Sequence, residues 1–129
     1  RLNGAPMRAS GASALANSAI EVGWNLRSSP DQYADLVRRV VVTGAAPFRT
    51  GSGALALAYV AAGRLDGYVE RHIHAWDCLA GILLATEAGA YVSDYLGAGG
   101  LARGAPLIAC ASGVKDALIG AAAFEGVLA

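Results

Sequence analysis

Residues 54–62, read ALALAYVAA, form the run that most constrains how this chain can fold. The run is apolar on every side of a helical projection, and such a helix is buried between layers rather than lying on a surface. Gly63 follows at the position where a helix C-terminal cap belongs. The run therefore predicts a helix enclosed by other layers of the domain.

A second helix is predicted by its start signals. Ser29 can act as the N-cap, Pro30 suits the first helical position, and Gln32 completes a capping box. Apolar residues then recur in one stripe at helical spacing. The stripe consists of Tyr33, Leu36, Val37, Val40 and Val41, and Gly44 and Pro47 end the pattern.

Strand patterns separate the helical ones. Strands are predicted at 18–23, 65–70, 91–93 and 107–110, further helices at 76–88 and 115–123, and a glycine-rich surface loop at 97–104. Strands separated by helices of this length indicate an α/β fold. We expect a layered sandwich with a mixed, largely parallel sheet flanked by helices.

Charge and cysteine content exclude several classes of function. Ten basic and ten acidic residues cancel, so we expect neither nucleic-acid binding nor binding to a membrane surface. No apolar stretch reaches the roughly 18 residues of a membrane span. Cys78 and Cys110 lie outside any CxxC pair, which indicates two buried thiols in a reducing cytoplasm, with a disulfide between them as the alternative.

The first residues of the chain predict a hairpin turn. Asn3-Gly4 is a typical hairpin dipeptide, yet only two residues precede it, where a strand is expected. We therefore expect that the natural polypeptide is longer at this end, with a frayed terminus as the alternative.

Two segments carry the chemical information. Residues 49–68 read RTGSGALALAYVAAGRLDGY, and residues 76–89 read WDCLAGILLATEAG. The second segment closely resembles the C-terminal signature of the inositol monophosphatase family, with Trp-Asp, two small residues near the first turn, and Glu-Ala-Gly. The first is similar to that family's Gly-Ser-Ala-Ala helix and its Ala-Ala-Gly-Arg-Leu-Asp turn. The resemblance implies that residues 1–129 form the C-terminal half of the inositol-monophosphatase-like fold.

Asp77 is the candidate metal ligand and catalytic residue. The alternative to a metal ligand is an aspartate that only stabilises the helix start, because the helix dipole favours a negative charge in the first turn. Trp76, Ala80 and Gly81 predict that this helix start packs tightly against another layer and fixes the carboxylate. The resemblance implies that Asp77 binds Mg²⁺, an ion that takes oxygen ligands.

Four further residues are candidates for substrate binding. Gly51, Ser52 and Gly53 open a helix whose free amides can bind phosphate or hydroxyl oxygens, although tight packing is the alternative. The resemblance implies that they line the substrate pocket, with Gly53 in place of the family's usual alanine. It also implies that Glu70 accepts a hydrogen bond from a substrate hydroxyl; a solvated carboxylate at the end of a strand is the alternative.

Four other polar positions near this region have separate interpretations. His72 and His74 lack the partners of a zinc site, so we interpret them as loop histidines near the active site. Arg71 and His72 lie where the resemblance places the variable side of the substrate, and they are candidates for specificity. Asp66 superficially resembles part of another family motif, but its flanking residues do not match, and it is interpreted as a turn residue.

The resemblance also implies a function for the complete enzyme. Members of the family hydrolyse phosphate monoesters with water activated by Mg²⁺, and most of their metal ligands come from upstream motifs that these residues lack. We therefore expect this chain to supply Asp77 and part of the pocket, and the N-terminal half of the same enzyme to supply the rest.

The expected partner is a small phosphorylated metabolite, and the resemblance makes inositol monophosphate the default substrate. Glu70 beside small residues favours a compact polyol over a nucleotide base. Histidinol phosphate, fructose 1,6-bisphosphate, a 3′-phosphonucleotide, or a non-catalytic remnant domain are the alternatives. A homodimer is expected from the resemblance alone.

Overall fold

The computed structural model describes residues 1–124, so the last five of the 129 residues assigned to the domain lie outside the described part. The strands are β1 (Ala19–Val22), β2 (Ala46–Phe48), β3 (Gly67–Ile73), β4 (Tyr91–Val92) and β5 (Ala105–Cys110). The helices are α1 (Pro30–Val41), α2 (Gly53–Ala61), α3 (Ala75–Glu87), α4 (Gly100–Arg103) and α5 (Lys115–Ala122). A 3-10 turn at Ser112–Val114 precedes α5.

The five strands form one mixed sheet in the order β2-β1-β3-β5-β4. Strand β1 pairs in parallel with β2 and β3, whereas β5 pairs antiparallel with β3 and β4. Strand β3 therefore joins a parallel half of the sheet to an antiparallel half. The predicted layered α/β sandwich with a mixed sheet is confirmed.

Two apolar clusters cover the two faces of the sheet. Side chains alternate along β3, so Val69 enters the cluster beneath α1 and α5, while Tyr68 enters the cluster beneath α2 and α3. In the same way Ile108 and Leu107 of β5 enter opposite clusters. The helix pairs α1–α5 and α2–α3 thus form the outer layers.

Helix α1 confirms the predicted start signals. The Ser29 hydroxyl accepts a hydrogen bond from the Gln32 amide at 3.1 Å, and the Gln32 side chain accepts one from the Ser29 amide at 2.9 Å. Leu36 and Val40 are buried against the sheet, but Val41 is 45% exposed. Val41 follows Val40 by about 100° around the helix, and this turn carries it away from the sheet.

The prediction that α2 is buried on every side was wrong. Leu57 and Val60 are fully buried, but Leu55 is 41% exposed. The sheet and α3 cover one side of α2, and within residues 1–124 no further layer covers the other side. The outward face of α3 is likewise apolar, with Leu79, Leu83 and Leu84 exposed.

Strand β3 is longer than the predicted strand. It continues to Ile73, so Glu70 lies inside the strand rather than at its end, and His72 belongs to a strand rather than a loop. The pairing with β5 shifts register between Glu70 and Ile73. This irregularity changes which side chains of β3 face the helices beyond it.

Several smaller predictions are also resolved. Asn3 and Gly4 have φ angles of 49° and 83°, and Leu2 bridges Ala5, which confirms the turn. The glycine-rich segment 97–104 contains the short helix α4. No helix within residues 1–124 is long and apolar enough to cross a membrane.

Asp66 is the turn residue that the sequence predicted, and it also ties distant segments together. It precedes β3, and its carboxylate accepts hydrogen bonds from the Ala19 amide at 2.7 Å and from the Ser10 hydroxyl at 2.6 Å. Its carbonyl accepts a further hydrogen bond from the Ala111 amide at 2.8 Å. These contacts make Asp66 a structural residue.

Candidate active site

A cleft of about 250 Å³ opens beyond the ends of β1 and β2, beside β3. Parallel strands β1 and β2 point their carboxyl ends to the same edge, which is where open α/β sheets bind ligands. The loop after β1, the turn before α2, β3 and the start of α3 line the cleft. The lining residues are Glu21, Gly23, Trp24, Asn25, Arg27, Arg49, Gly51, Ser52, Gly53, Tyr68, Glu70, Ile73, His74 and Asp77.

Asp77 lies in the first turn of α3, as predicted, and its side chain lines the cleft. Its amide donates a hydrogen bond to the His74 carbonyl at 3.0 Å. Both salt bridges within residues 1–124 belong to Asp35, so the exposed Asp77 carboxylate has no cationic partner there. An exposed carboxylate in this position can accept a hard cation.

The prediction that the start of α3 packs tightly was wrong for Trp76. Its side chain is 78% exposed and stacks on the ring of His74, with the ring centroids 4.2 Å apart. Ala80 is also exposed, because positions i and i+4 share a helix face. Gly81 alone packs as predicted: a Cβ there would lie 2.5 Å from Leu57 Cβ.

Glu70 is buried in the cleft wall, with 7% of its surface exposed. One carboxylate oxygen accepts a hydrogen bond from Asn25 Nδ2 at 2.8 Å, and the other accepts one from the Tyr68 hydroxyl. Burial raises the pKa of Glu70, while the hydrogen bonds from Tyr68 and Asn25 act against that increase. The alternative of a solvated carboxylate at a strand end is therefore wrong.

Gly23 borders the same carboxylate. A Cβ at this position would lie 2.1 Å from Glu70 Oε2, so only glycine leaves room for the observed side-chain orientation. The side-chain nitrogen of Asn25, Nδ2, also donates a hydrogen bond to the His72 carbonyl. The loop after β1 thus fixes both the side chain and the backbone of the Glu70 region.

Glu21 fixes the turn that leads into α2. Its buried carboxylate accepts hydrogen bonds from the Thr50 amide, at 2.8 Å to each oxygen, and from the Thr50 hydroxyl at 3.1 Å. Gly51 follows with φ +83°, and the Ser52 hydroxyl caps the helix by accepting from the Leu55 amide at 3.2 Å. Gly51, Ser52 and Gly53 therefore reach the cleft together, as the sequence predicted.

The model of the inositol monophosphatase family matches residues 1–126. The chain belongs to this family. It is 40% identical over 100 residues to the Nus factor SuhB of Pseudomonas aeruginosa, an alignment that covers 74% of the chain and 37% of that protein. It is 42% identical over 102 residues to the inositol-1-monophosphatase of Mycobacterium bovis, covering 77% of the chain and 33% of that protein.

A solved family structure has the same fold. The extragenic suppressor protein suhB from Bartonella henselae superposes with a TM-score of 0.81 at 34% identity, covering 95% of the chain and 48% of that protein. The chain thus spans less than half the length of these relatives. The predicted family membership and fold are confirmed.

Arg71 and His72, the candidates for specificity, lie outside the residues that line the cleft. The Arg71 guanidinium lies 5.4 Å from the ring centroid of Phe124, and His72 Nε2 lies 2.9 Å from the Arg103 carbonyl oxygen. His74 lines the cleft instead. Desolvation lowers the pKa of His74, and the positive charge of Arg27 acts in the same direction.

Sequence reasoning missed eight lining residues: Glu21, Gly23, Trp24, Asn25, Arg27, Arg49, Tyr68 and Ile73. A signal for four of them was present, because residues 24–27 directly follow a predicted strand and Arg49 precedes the Gly-Ser-Gly turn. Loops at the carboxyl ends of neighbouring parallel strands meet at one edge. Tyr68 had no comparable signal, since alternation alone predicts only that it is opposite in orientation to Val69.

The carboxylates of the cleft can supply one ligand of the Mg²⁺ site that the family resemblance implies. No group of three or more metal-binding side chains occurs within residues 1–124. Asp77 offers an exposed carboxylate, whereas Glu21 and Glu70 are already engaged by hydrogen bonds within the chain. Asp77 therefore fits the role of one Mg²⁺ ligand, and a complete site would need further ligands from outside the described residues.

Proposed function

We propose that the complete protein is a Mg²⁺-dependent phosphatase that hydrolyses a phosphate monoester of a small polyol or sugar, with inositol monophosphate as the default substrate. One observation carries this proposal. The exposed Asp77 carboxylate and the buried Glu70 carboxylate face the same cleft beside the start of α2. This arrangement supports the proposal, because it brings a candidate metal ligand and a candidate hydroxyl acceptor close to the amides at the start of α2.

Each side of the cleft has a separate task in this proposal. Bound Mg²⁺ would polarise the phosphate and lower the pKa of a water molecule. Asp77 supplies one oxygen ligand. The Gly51 and Gly53 amides can bind oxygens of the substrate at the helix start, whereas the Ser52 amide already donates to Thr50 Oγ1 at 3.3 Å. Glu70 keeps lone pairs beyond those used by Tyr68 and Asn25, and these can accept a substrate hydroxyl.

An Asp77→Asn variant of the complete protein tests the ligand role. We expect its Mg²⁺-dependent phosphate release to fall about 100-fold or more, and its affinity for Mg²⁺ to fall in calorimetry. Asp116→Asn is the matched control, because Asp116 also lies in the first turn of a helix, at α5 on the opposite face of the sheet. Full-rate phosphate release by Asp77→Asn would refute the assignment.

A second substrate class is favoured by two arginines. Arg27 and Arg49 line the cleft, and neither forms a salt bridge within residues 1–124. The Arg49 guanidinium lies 6.0 Å from the ring centroid of Trp24. These residues suit a substrate with a second phosphate, such as fructose 1,6-bisphosphate, or a 3′-phosphonucleotide whose base could contact the ring.

Comparison of substrates separates the two classes. Phosphate release from inositol 1-phosphate, histidinol phosphate, fructose 1,6-bisphosphate and a 3′-phosphonucleotide gives the order of kcat/KM. If the second phosphate is recognised, Arg49→Gln lowers kcat/KM for bisphosphates about tenfold relative to inositol 1-phosphate. An equal effect on both classes would contradict the arginine argument.

A third candidate follows from the names of relatives that are called Nus factor SuhB. A role as a Nus factor need not use the chemistry of the cleft. Complementation of a strain that lacks its SuhB protein distinguishes the roles. Restoration by Asp77→Asn as complete as by the natural sequence would favour the Nus-factor role over a requirement for the phosphatase.

The assembly of the complete protein is also a proposal. The leucines on the outward face of α2 and α3 form an apolar surface, which the N-terminal half of the same enzyme would cover. The homodimer expected from the family resemblance would then form between complete subunits. Sedimentation of the complete protein tests this, and a monomer at all concentrations would contradict it.

A further inference from the structure

The wall behind Glu70 contains a tyrosine and a glycine that fit each other. Tyr68 is fully buried, and its hydroxyl donates a hydrogen bond to Glu70 Oε2. The two residues lie two positions apart on β3 and therefore share one face of the strand. Tyr68 thus provides the only hydrogen bond to this oxygen from within residues 1–124.

Gly53 leaves the space that the tyrosine hydroxyl uses. A Cβ built on Gly53 would lie 3.0 Å from the Tyr68 hydroxyl oxygen and 2.5 Å from Ile73 Cδ1. The ring carbon that carries the hydroxyl, Cζ, would lie 3.7 Å away, which is an ordinary contact distance. An alanine at this position would therefore crowd the Cδ1 methyl group of Ile73 and, less severely, the oxygen of Tyr68, but not the tyrosine ring.

Burial makes this hydrogen bond consequential. Desolvation raises the pKa of Glu70, and the bond from Tyr68 favours the ionised form. Desolvation and the negative charge of Glu70 raise the pKa of Tyr68 far above its usual value, so its hydroxyl remains a donor. Without this bond the carboxylate would keep only Asn25 as a fixed partner, and its orientation toward the cleft would be less defined.

We propose that Tyr68 is a positioning residue that holds the Glu70 carboxylate for a substrate hydroxyl, and that Gly53 helps to leave room for the Tyr68 hydroxyl. The inference rests on the proposed function, in which Glu70 binds the substrate. It assigns a role to a residue that does not itself contact the reacting phosphate.

The test compares two substrates in the complete protein. Inositol 1-phosphate has hydroxyls for Glu70, whereas p-nitrophenyl phosphate has none. For Tyr68→Phe we expect the ratio of kcat/KM between the two substrates to fall about tenfold, mainly through the KM for inositol 1-phosphate. A purely structural role for Tyr68 would lower both values together and leave the ratio unchanged.

Gly53→Ala supplies an independent variant and completes a double-mutant cycle. Alone, it should lower the same ratio, because its methyl group displaces the Tyr68 hydroxyl. Combined with Tyr68→Phe it should add less than twofold to the loss, since the Tyr68 oxygen is then absent and the remaining close contact is to the flexible end of Ile73. Additive effects of the two substitutions would overturn the role assigned to Gly53.

A measurement that needs no activity separates this inference from the proposed function. In NMR titrations of labelled Glu70, Tyr68→Phe should raise the pKa of the carboxyl group, because a donor to its ionised form is lost. An unchanged titration, or an unchanged substrate ratio, would overturn the positioning role. If no substrate releases phosphate but the titration shifts, the proposed function fails while the contact between Tyr68 and Glu70 stands.

Discussion

Substitution of Gly81 by alanine would test how closely α2 and α3 pack. Gly81 is buried on the inner face of α3, and an added Cβ would lie 2.5 Å from Cβ, 2.7 Å from Cδ1 and 3.1 Å from Cγ of Leu57. Leu57 is itself fully buried. The contact to Leu57 Cβ cannot be relieved by a change of rotamer, because that atom is fixed by the backbone of α2. The two helices must therefore move apart.

Two opposing terms determine the effect on stability. Overpacking of a close-packed interior costs about 1–3 kcal/mol, whereas alanine is favoured over glycine inside a helix by about 1 kcal/mol. The free energy of unfolding should therefore fall by about 1 kcal/mol in Gly81→Ala. Gly120→Ala is the matched control, because Gly120 lies in α5 with no heavy atom within 4 Å of an added Cβ.

Urea denaturation of the complete protein measures both variants. The control should gain about 1 kcal/mol in the free energy of unfolding, so the two variants should differ by about 2 kcal/mol at an unchanged m-value. Gly81 follows Asp77 by one helical turn, so under the proposed ligand role of Asp77 a displaced α3 should also weaken Mg²⁺ binding. Equal stabilisation by the two substitutions would refute the close packing of α2 against α3.

Three further predictions concern other parts of the fold. Ser29→Ala should lower the free energy of unfolding by about 1 kcal/mol in urea denaturation, because the capping box with Gln32 is lost. Glu21→Gln should lower it by about 1–2 kcal/mol, since the Thr50 amide then loses a charged acceptor. Burial raises the pKa of Cys110 to about 12, well above the roughly 8.5 of an unfolded thiol. Its neutral form therefore stabilises the fold below about pH 8.5, and this stabilisation should be lost as pH rises toward 12, by up to about 1.4 kcal/mol per pH unit.

These predictions have separate failure criteria. Unchanged denaturation midpoints in Ser29→Ala or Glu21→Gln would show that the capping box or the Thr50 contact contributes nothing to stability. For the thiol, Cys110→Ala should show a shallower decrease in stability at alkaline pH than the natural sequence. Identical pH profiles would contradict a strongly raised thiol pKa.

Local signals predicted much of the fold. The capping box at Ser29 begins α1, and Gly89, with a φ of +85°, follows the end of α3. Each of these signals depends only on neighbouring residues of its own helix, so a sequence pattern suffices to place it. The same is true of Asp77, whose position depends on the start of α3. The free, buried states of Cys78 and Cys110 also agree with the interpretation as ordinary thiols.

The remaining errors have a common physical cause. Whether Trp76 or Leu55 is covered depends on which other layers reach it, and no pattern within a helix contains that information. The partners of Glu70 were missed for a related reason: Asn25 lies 45 residues earlier in the chain. The space beside Tyr68 was equally inaccessible to a sequence argument, because it depends on the distance between α2 and β3.

The contacts that shape the cleft have a consequence for the order of folding. Asn25 meets Glu70 across 45 residues, and Thr50 meets Glu21 across 29 residues. These contacts are non-local and persist only once the strands that carry them have paired, and non-local pairing is slower than forming a local element such as α1. During refolding, helical circular dichroism should therefore recover before ligand binding does, and a chain that has regained its helices can still lack a working cleft.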